Sequence, residues 1–430
     1  MARELVVRGG RVVDATGERR ADVAVADGAV VAVEADLEPS SDAVVLDAGG
    51  CVVAPGLVDL HTHLREPGRE EAERVESGAR AAALGGYTAV VAMPNTDPPI
   101  DSVAVVRQVL DLGATAAADV AVAGAITVGR EGERLAPLAE MAALGVRLFT
   151  DDGTGVQDAR LMRRALEYAS ALDVVLAQHC EESRLAAGGQ MHEGEWSSRL
   201  GVPGIPAAAE ELMVYRDISL ARLTGARVHL LHVSTAASVA MVEAAKAEGL
   251  PVSAEAAPHH LCLTDAELAG YDPVFKVNPP LRGPSDVAAV RAGLANGALD
   301  AIATDHAPHP QEAKEAPFDA APPGMIGLET ALAVALHELS GVLSIAAIMA
   351  LLSWRPAQIA GLSADHGGPI APGTSANLCV IDPRATWVVD PARMASRSRN
   401  TPFAGRRLTG RVRHTVYRGE PVVIDGEAQR

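Results

Sequence analysis

Between residues 57 and 361 the chain alternates eight short β-like runs with Ala-rich helical stretches, and few folds accept that rhythm. The runs are 58–64, 88–93, 120–127, 146–150, 174–179, 228–233, 252–255 and 301–304. Helical spacing covers 71–84, 103–112, 159–170 and 236–248 between them. Strand–helix units repeated this often predict an α/β protein whose parallel strands close into a (β/α)8 TIM barrel. The flanks read differently. Residues 20–27 and 29–34 alternate apolar and polar across Asp27-Gly28, a hairpin signal, and β-like runs return at 377–382, 387–389 and 412–417. The expected division is a β-sandwich from 1–55 and 366–430, interrupted by a barrel at 56–365.

Charge and cysteine usage remove several function classes. Thirty-seven Lys+Arg against 55 Asp+Glu leave a net charge of −18, the wrong sign for a nucleic-acid partner. The longest apolar stretch, near 344–354, is too short to cross a bilayer, and the N-terminus lacks a secretory pattern. Cys51, Cys180, Cys262 and Cys379 form no CxxC, so neither a disulfide scaffold nor a thiolate zinc site is expected; a reducing, cytoplasmic compartment is. Lysine occurs only at 246, 276 and 314, and no Gly-Lys pair exists, which excludes a P-loop. GxGxxG and GxSxG are also missing.

Four strand ends carry ligand-type residues. Asp59-Leu-His61-Thr-His63 ends the first strand, and strand periodicity of two points Asp59, His61 and His63 together. The fifth strand ends in His179. In the sixth, alternation puts His232 on the face of Val228 and Leu230, making it the ligand candidate, and His229 on the other face. The eighth ends in Asp305, a carboxylate after an apolar run that is expensive without a cation or donor. Barrel enzymes collect catalytic groups at this end of the strands, so the coincidence points to a metal centre. At the fourth strand, periodicity does not separate Asp151 from Asp152. Arg65, at the barrel mouth, offers a planar fork for a carboxylate, the alternative being a salt bridge to Glu66 or Glu70.

DxHxH, a lone His, another His and a final Asp resemble the amidohydrolase superfamily, whose members share a distorted barrel and a small β-sandwich from both chain ends. Many relatives bridge two metals with a carboxylated lysine on strand four; this chain has Thr150-Asp151-Asp152-Gly153 there. That segment is similar to the longer-chain bacterial dihydroorotase family, as are residues 55–68, Met93-Pro-Asn95-Thr, 276–282, Asp305-His-Ala-Pro-His309 and Gly327-Leu-Glu-Thr330. The departure is Pro322-Pro323-Gly324, where many relatives carry Pro-Phe-Gly.

The resemblance implies reversible, zinc-dependent cyclisation of N-carbamoyl-L-aspartate to L-dihydroorotate in pyrimidine synthesis. It implies two Zn2+ per chain: one on His61, His63 and Asp305, the other on His179 and His232, bridged by Asp152 and a hydroxide. Asp305 would also shuttle the proton. Asn95 and His309 would join Arg65 on the substrate carboxylate, with His63 beside them, and Asn278 with Pro323-Gly324 would meet the ring. His309 could instead be a third ligand from strand eight, but its place beyond Pro308 favours substrate. His259 and His260 are expected near the rim in supporting roles, and His192, His337, His366 and His414 exposed or locally bonded. The irregular stretch 306–324 is expected to act as a lid. Homodimerisation is expected, with association with aspartate transcarbamoylase left open. The competing readings are a hydantoinase or allantoinase, and a non-catalytic scaffold for that transcarbamoylase.

Overall fold

The computed structural model describes residues 4–430. Eight parallel strands occupy the expected runs: β1 (Leu57–Thr62), β2 (Tyr87–Ala92), β3 (Asp119–Gly124), β4 (Leu148–Thr150), β5 (Val175–Gln178), β6 (Val228–Leu230), β7 (Val252–Ala256) and β8 (Ala301–Ile302). They pair in chain order. Between β8 and β1 the ladder is replaced by one parallel bridge, Thr62 with His306, and by the buried Asp59 carboxylate, which accepts Thr304 N at 2.7 Å. The fold is a nearly closed TIM barrel.

The lumen is filled mostly by small or branched residues, Leu60, Val91, Ala123, Leu148, Ala177 and Ala301 among them. The helix Trp354–Ala360 packs against this cluster through Ala360 and against Val58 and Ala89 through Ala357, plugging one end. The polar residues collect at the other. A larger cluster, with Val90, Leu176, Val228, Leu230 and Ala254, fills the space between strands and outer helices. The helix expected from 71 starts at Val75, because the Glu66 carboxylate accepts the Val75 N–H at 2.9 Å and sets the first turn there.

Both chain ends share a sandwich of a four-stranded and a seven-stranded sheet. In the larger, Val52–Pro55 pairs antiparallel with Leu378–Val388, so the chain entering the barrel is bonded to the chain leaving it. Leu5, Val23, Leu46, Val53, Leu378 and Val416 lie in the core between the sheets. The hairpin Asp22–Ala26 to Ala29–Glu34 turns through Asp27 and Gly28, both with positive φ, as that dipeptide demands. The separate runs 377–382 and 387–389 are one long strand, irregular between Asp382 and Thr386. Among the described residues, no helix is long and apolar enough to cross a membrane.

Candidate active site

Six buried side chains from four strand ends and the turn after β4 converge at the open end of the barrel. Asp152 is at the centre. Its Oδ1 lies 3.4 Å from His61 Nε2, 3.5 Å from His179 Nδ1 and 3.6 Å from His232 Nε2, and its Oδ2 lies 3.5 Å from His63 Nε2. Asp305 Oδ1 is 3.7 Å from His61 Nε2 and 3.4 Å from His63 Nε2. His61, His63 and Asp152 form one potential ligand group, and Asp152, His179 and His232 another.

The choice between the two aspartates is made by β3. Asp151 accepts Ile126 N at 2.8 Å, Thr127 N at 3.0 Å and the Thr127 hydroxyl, which ties it to the end of that strand. Asp152 is thereby left to enter the cluster.

Strand alternation fails at two points. The β1–β2 register shifts between Asp59 and Thr62, so Asp59 turns to the β8 seam and does not join His61 and His63. In β6, Val228 and Leu230 face the outer helices, while His229 pairs in register with Ala177 and Ser253 on the lumen side. His232 reaches the cluster because its backbone adopts φ 34, which breaks the alternation. Asp305 and Arg65, at φ 45 and 62, share this unusual backbone; such strain persists where packing imposes it, often at functional sites.

The electrostatics follow from the crowding. Burial alone would raise the Asp152 carboxyl, but His61, His179 and His232 hold it well below the carboxylate range. Burial opposes ionisation of Asp305 too, and His63, His61 and His232 overcome it. His63 is pushed down by burial and by Arg65. The four imidazoles therefore surround two carboxylates that stay ionised.

The donor set suits divalent cations. His61 Nε2 and Asp152 Oδ1 are buried with no hydrogen-bond partner. Two ligand atoms each ~2.1 Å from a tetrahedral cation lie about 3.4 Å apart, which matches the spacing of 3.4 to 3.7 Å seen around Asp152 and Asp305.

The residues expected to meet substrate are placed less uniformly. Asn95 Oδ1 lies 2.8 Å from His63 Nδ1, and Asn278 Nδ2 lies 3.4 Å from His179 Nε2. Arg65 is buried and donates through Nε to Pro308 O at 3.2 Å; among the described residues it forms no salt bridge to Glu66, which accepts Val75 N, or to Glu70, which accepts Gly68 N. His309 Nε2 donates to Pro323 O at 2.9 Å, and Gly324 N donates to Lys276 O at 2.9 Å. Pro323 is exposed and Gly324 buried, its N–H already engaged. Stretch 306–324 contains a short helix, Gln311–Lys314, and is tethered by two of the three lysines. Lys314 Nζ donates to Pro322 O and Gly324 O, and Lys276 Nζ to Phe318 O.

His259 and His260 are buried in the short helix after β7, and His337 is exposed as expected. Three other histidines differ from expectation, His192 by a long-range contact with Arg282. His366 and His414 are buried and bonded over long range, to Asp119 and to Asp47 O. Glu255, inside the β7 run, carried no motif; the available signal was a carboxylate in an apolar strand, which requires a partner.

Fold and site together define a cyclic-amide hydrolase built on the amidohydrolase barrel. The L-hydantoinase (dihydropyrimidinase) from Arthrobacter aurescens is similar with a TM-score of 0.89 at 27% identity, covering 100% of this chain and 98% of that one. The dihydro-orotase-like family model matches residues 50–238. The dihydroorotase of Pelotomaculum thermopropionicum is 49% identical over 426 residues, 98% of this chain and 99% of its own length. That of Streptomyces coelicolor is 50% identical over 427 residues, with the same coverage. The chain belongs to the dihydroorotase family.

Proposed function

We propose that this chain is a zinc-dependent dihydroorotase, closing N-carbamoyl-L-aspartate to L-dihydroorotate and water, and the reverse, in pyrimidine synthesis. The observation that carries the metal chemistry is Asp152, set 3.4 to 3.6 Å from four imidazole nitrogens where lysine-bridged relatives use a lysine. His61, His63 and Asp305 would hold one Zn2+, and His179 and His232 the other, with Asp152 between them. When bound, the two cations supply Lewis acidity and a water acidic enough to ionise near neutral pH.

The chain's own residues then orient and move protons. In the hydrolytic direction Asp305 takes a proton from the attacking water and passes it to the departing ring nitrogen. In cyclisation it removes the ureido N–H proton and returns it to the oxygen that leaves the carboxyl carbon as water, the carboxylate having taken its other proton from solvent. Arg65, buried and without a carboxylate within ion-pair distance among the described residues, supplies the fork for the substrate carboxylate, with Asn95, His63 and His309 beside it. Asn278, next to His179, and the Pro323-Gly324 backbone meet the ring after a shift of segment 306–324, which closes as a lid.

The reading includes a cytoplasmic setting, supported by four cysteines that remain free thiols. It includes a homodimer, supported by exposed Leu212, Tyr215 and Leu223 on one face of the helix Ala208–Thr224. Co-elution with aspartate transcarbamoylase tests whether the two enzymes associate.

The test is interconversion of L-dihydroorotate and N-carbamoyl-L-aspartate by the zinc-loaded protein, with metal counted per chain. Turnover with about two zinc per chain, abolished in Asp305→Ala, is expected. Turnover of hydantoin or allantoin instead would overturn the substrate, and metal without turnover would restore the scaffold reading.

A further inference from the structure

Behind His61, a row of polar side chains (Glu255, His229 and Ser253) extends into the barrel, and none of these three has a part in the reaction above. His61 Nδ1 lies 3.1 Å from Glu255 Oε1, Glu255 Oε2 lies 3.0 Å from His229 Nε2, and His229 Nδ1 lies 2.8 Å from Ser253 Oγ. His61, Glu255 and His229 are all 0% exposed. Apolar residues would fill this space at less cost, since a buried carboxylate is stable only when its oxygens are met. Here both are met, by imidazoles from two strands.

The arrangement dictates the form of His61. A carboxylate oxygen only accepts, so Nδ1 is the donor toward Glu255 and Nε2 is the nitrogen left for a cation. Nε2 faces Asp152 and Asp305, and no hydrogen bond occupies it. The other imidazoles lack this support. His63 Nδ1 meets a neutral amide oxygen, and His232 Nδ1 has no partner. His229 is in turn fixed by Ser253, so the row runs from the metal-facing imidazole to the β6–β7 ladder.

We propose that Glu255 is a positioning residue that fixes His61 in its Nδ1–H form with Nε2 aimed at the metal, and that His229 is the strut that holds Glu255. The proposal rests on the metal-centre reading above. A partner of this kind behind a ligand histidine typically sets metal affinity by 10- to 100-fold.

Zinc affinity of the full chain, measured by competition with a chromogenic chelator, reads this without activity. Glu255→Gln is expected to weaken the tightest zinc by roughly 10-fold or more. His229→Leu should do likewise, and His229→Gln, which keeps an N–H toward Glu255, should recover most of the affinity. Circular dichroism melts of the metal-free variants report whether the fold survives. The 15N imidazole shifts of wild-type protein identify the His61 form directly, with His61→Gln for assignment, so the proposal is decided even where a variant fails to fold. A His61 imidazole with no proton on Nδ1, or Glu255→Gln affinity within twofold of wild type, overturns it. If wild type binds no zinc, the metal-centre reading fails, and the His61 spectrum still tests the Glu255 contact by itself.

Discussion

The Asp59 carboxylate accepts the Thr304 N–H at 2.7 Å and the Thr304 hydroxyl at 2.6 Å, tying the first barrel strand to the segment after the last. With β8 only two residues long, this side chain performs a closure that a strand ladder performs elsewhere in the barrel. Asp59→Ala would leave the buried Thr304 N–H and the Thr62 hydroxyl unmet and the Thr304 hydroxyl with only His61 O at 3.3 Å, and is expected to destabilise the metal-free protein by about 3 kcal/mol. Urea unfolding measures this; a loss under ~1 kcal/mol would mean that Thr62–His306 pairing holds the seam alone.

Arg65 should act on substrate binding before chemistry. Its guanidinium is buried at the site, and a lysine there keeps the charge but not the planar fork. Arg65→Lys is expected to raise KM by roughly 10- to 100-fold with a smaller change in kcat. Steady-state kinetics in both directions decide it, and an unchanged KM would remove Arg65 from the carboxylate site.

Gly324 has no room for a side chain. Its φ is +143, and a Cβ there would sit 2.7 Å from His309 Nε2 and 2.9 Å from Ala307 O. Gly324→Ala is expected to displace His309 from Pro323, raise KM about tenfold and cost ~1–3 kcal/mol of stability. Gly341→Ala, where a Cβ meets nothing within 4 Å, should leave both unchanged.

Lys314 predicts a slope of stability with pH. Burial, and then the neighbouring Lys276, push its ammonium down to about 7 from an ordinary value of 10.5. Between those values the unfolded chain carries a proton that the folded chain has released, so folding gains stability as pH rises through this window. Below about 7 both states hold the proton, and the dependence stops. Urea midpoints of wild type and Lys314→Met, compared from pH 6 upward, should diverge in favour of wild type above about pH 7; parallel curves would show that the Lys276, Pro322 and Gly324 carbonyls around Nζ hold the proton after all.

Local pattern and long-range contact divide the protein between them. Eight apolar runs between Ala-rich helices, and the Asp27-Gly28 turn, are readable because each depends on the spacing of near neighbours. The DxHxH motif and Asp305 are readable for the same reason, as ligand types stand at strand ends. Periodicity does not separate Asp152 from Asp151, and the resemblance alone names Asp152; what holds Asp151 away is the Ile126 and Thr127 amides and the Thr127 hydroxyl, which approach from the end of another strand. His232 was chosen by an alternation that its own φ violates, because the turn to Ser234 and Thr235 is held by Glu210 from a distant helix. Glu255 could not be paired with His61 and His229 until the barrel brought residues 194 and 26 positions apart into contact. The sequence alone determined which elements form and which residue types end each strand, since backbone periodicity is a local property. Which of two adjacent side chains enters the centre, and what holds it there, was decided by closure of the barrel, because those partners meet only when distant strands pack.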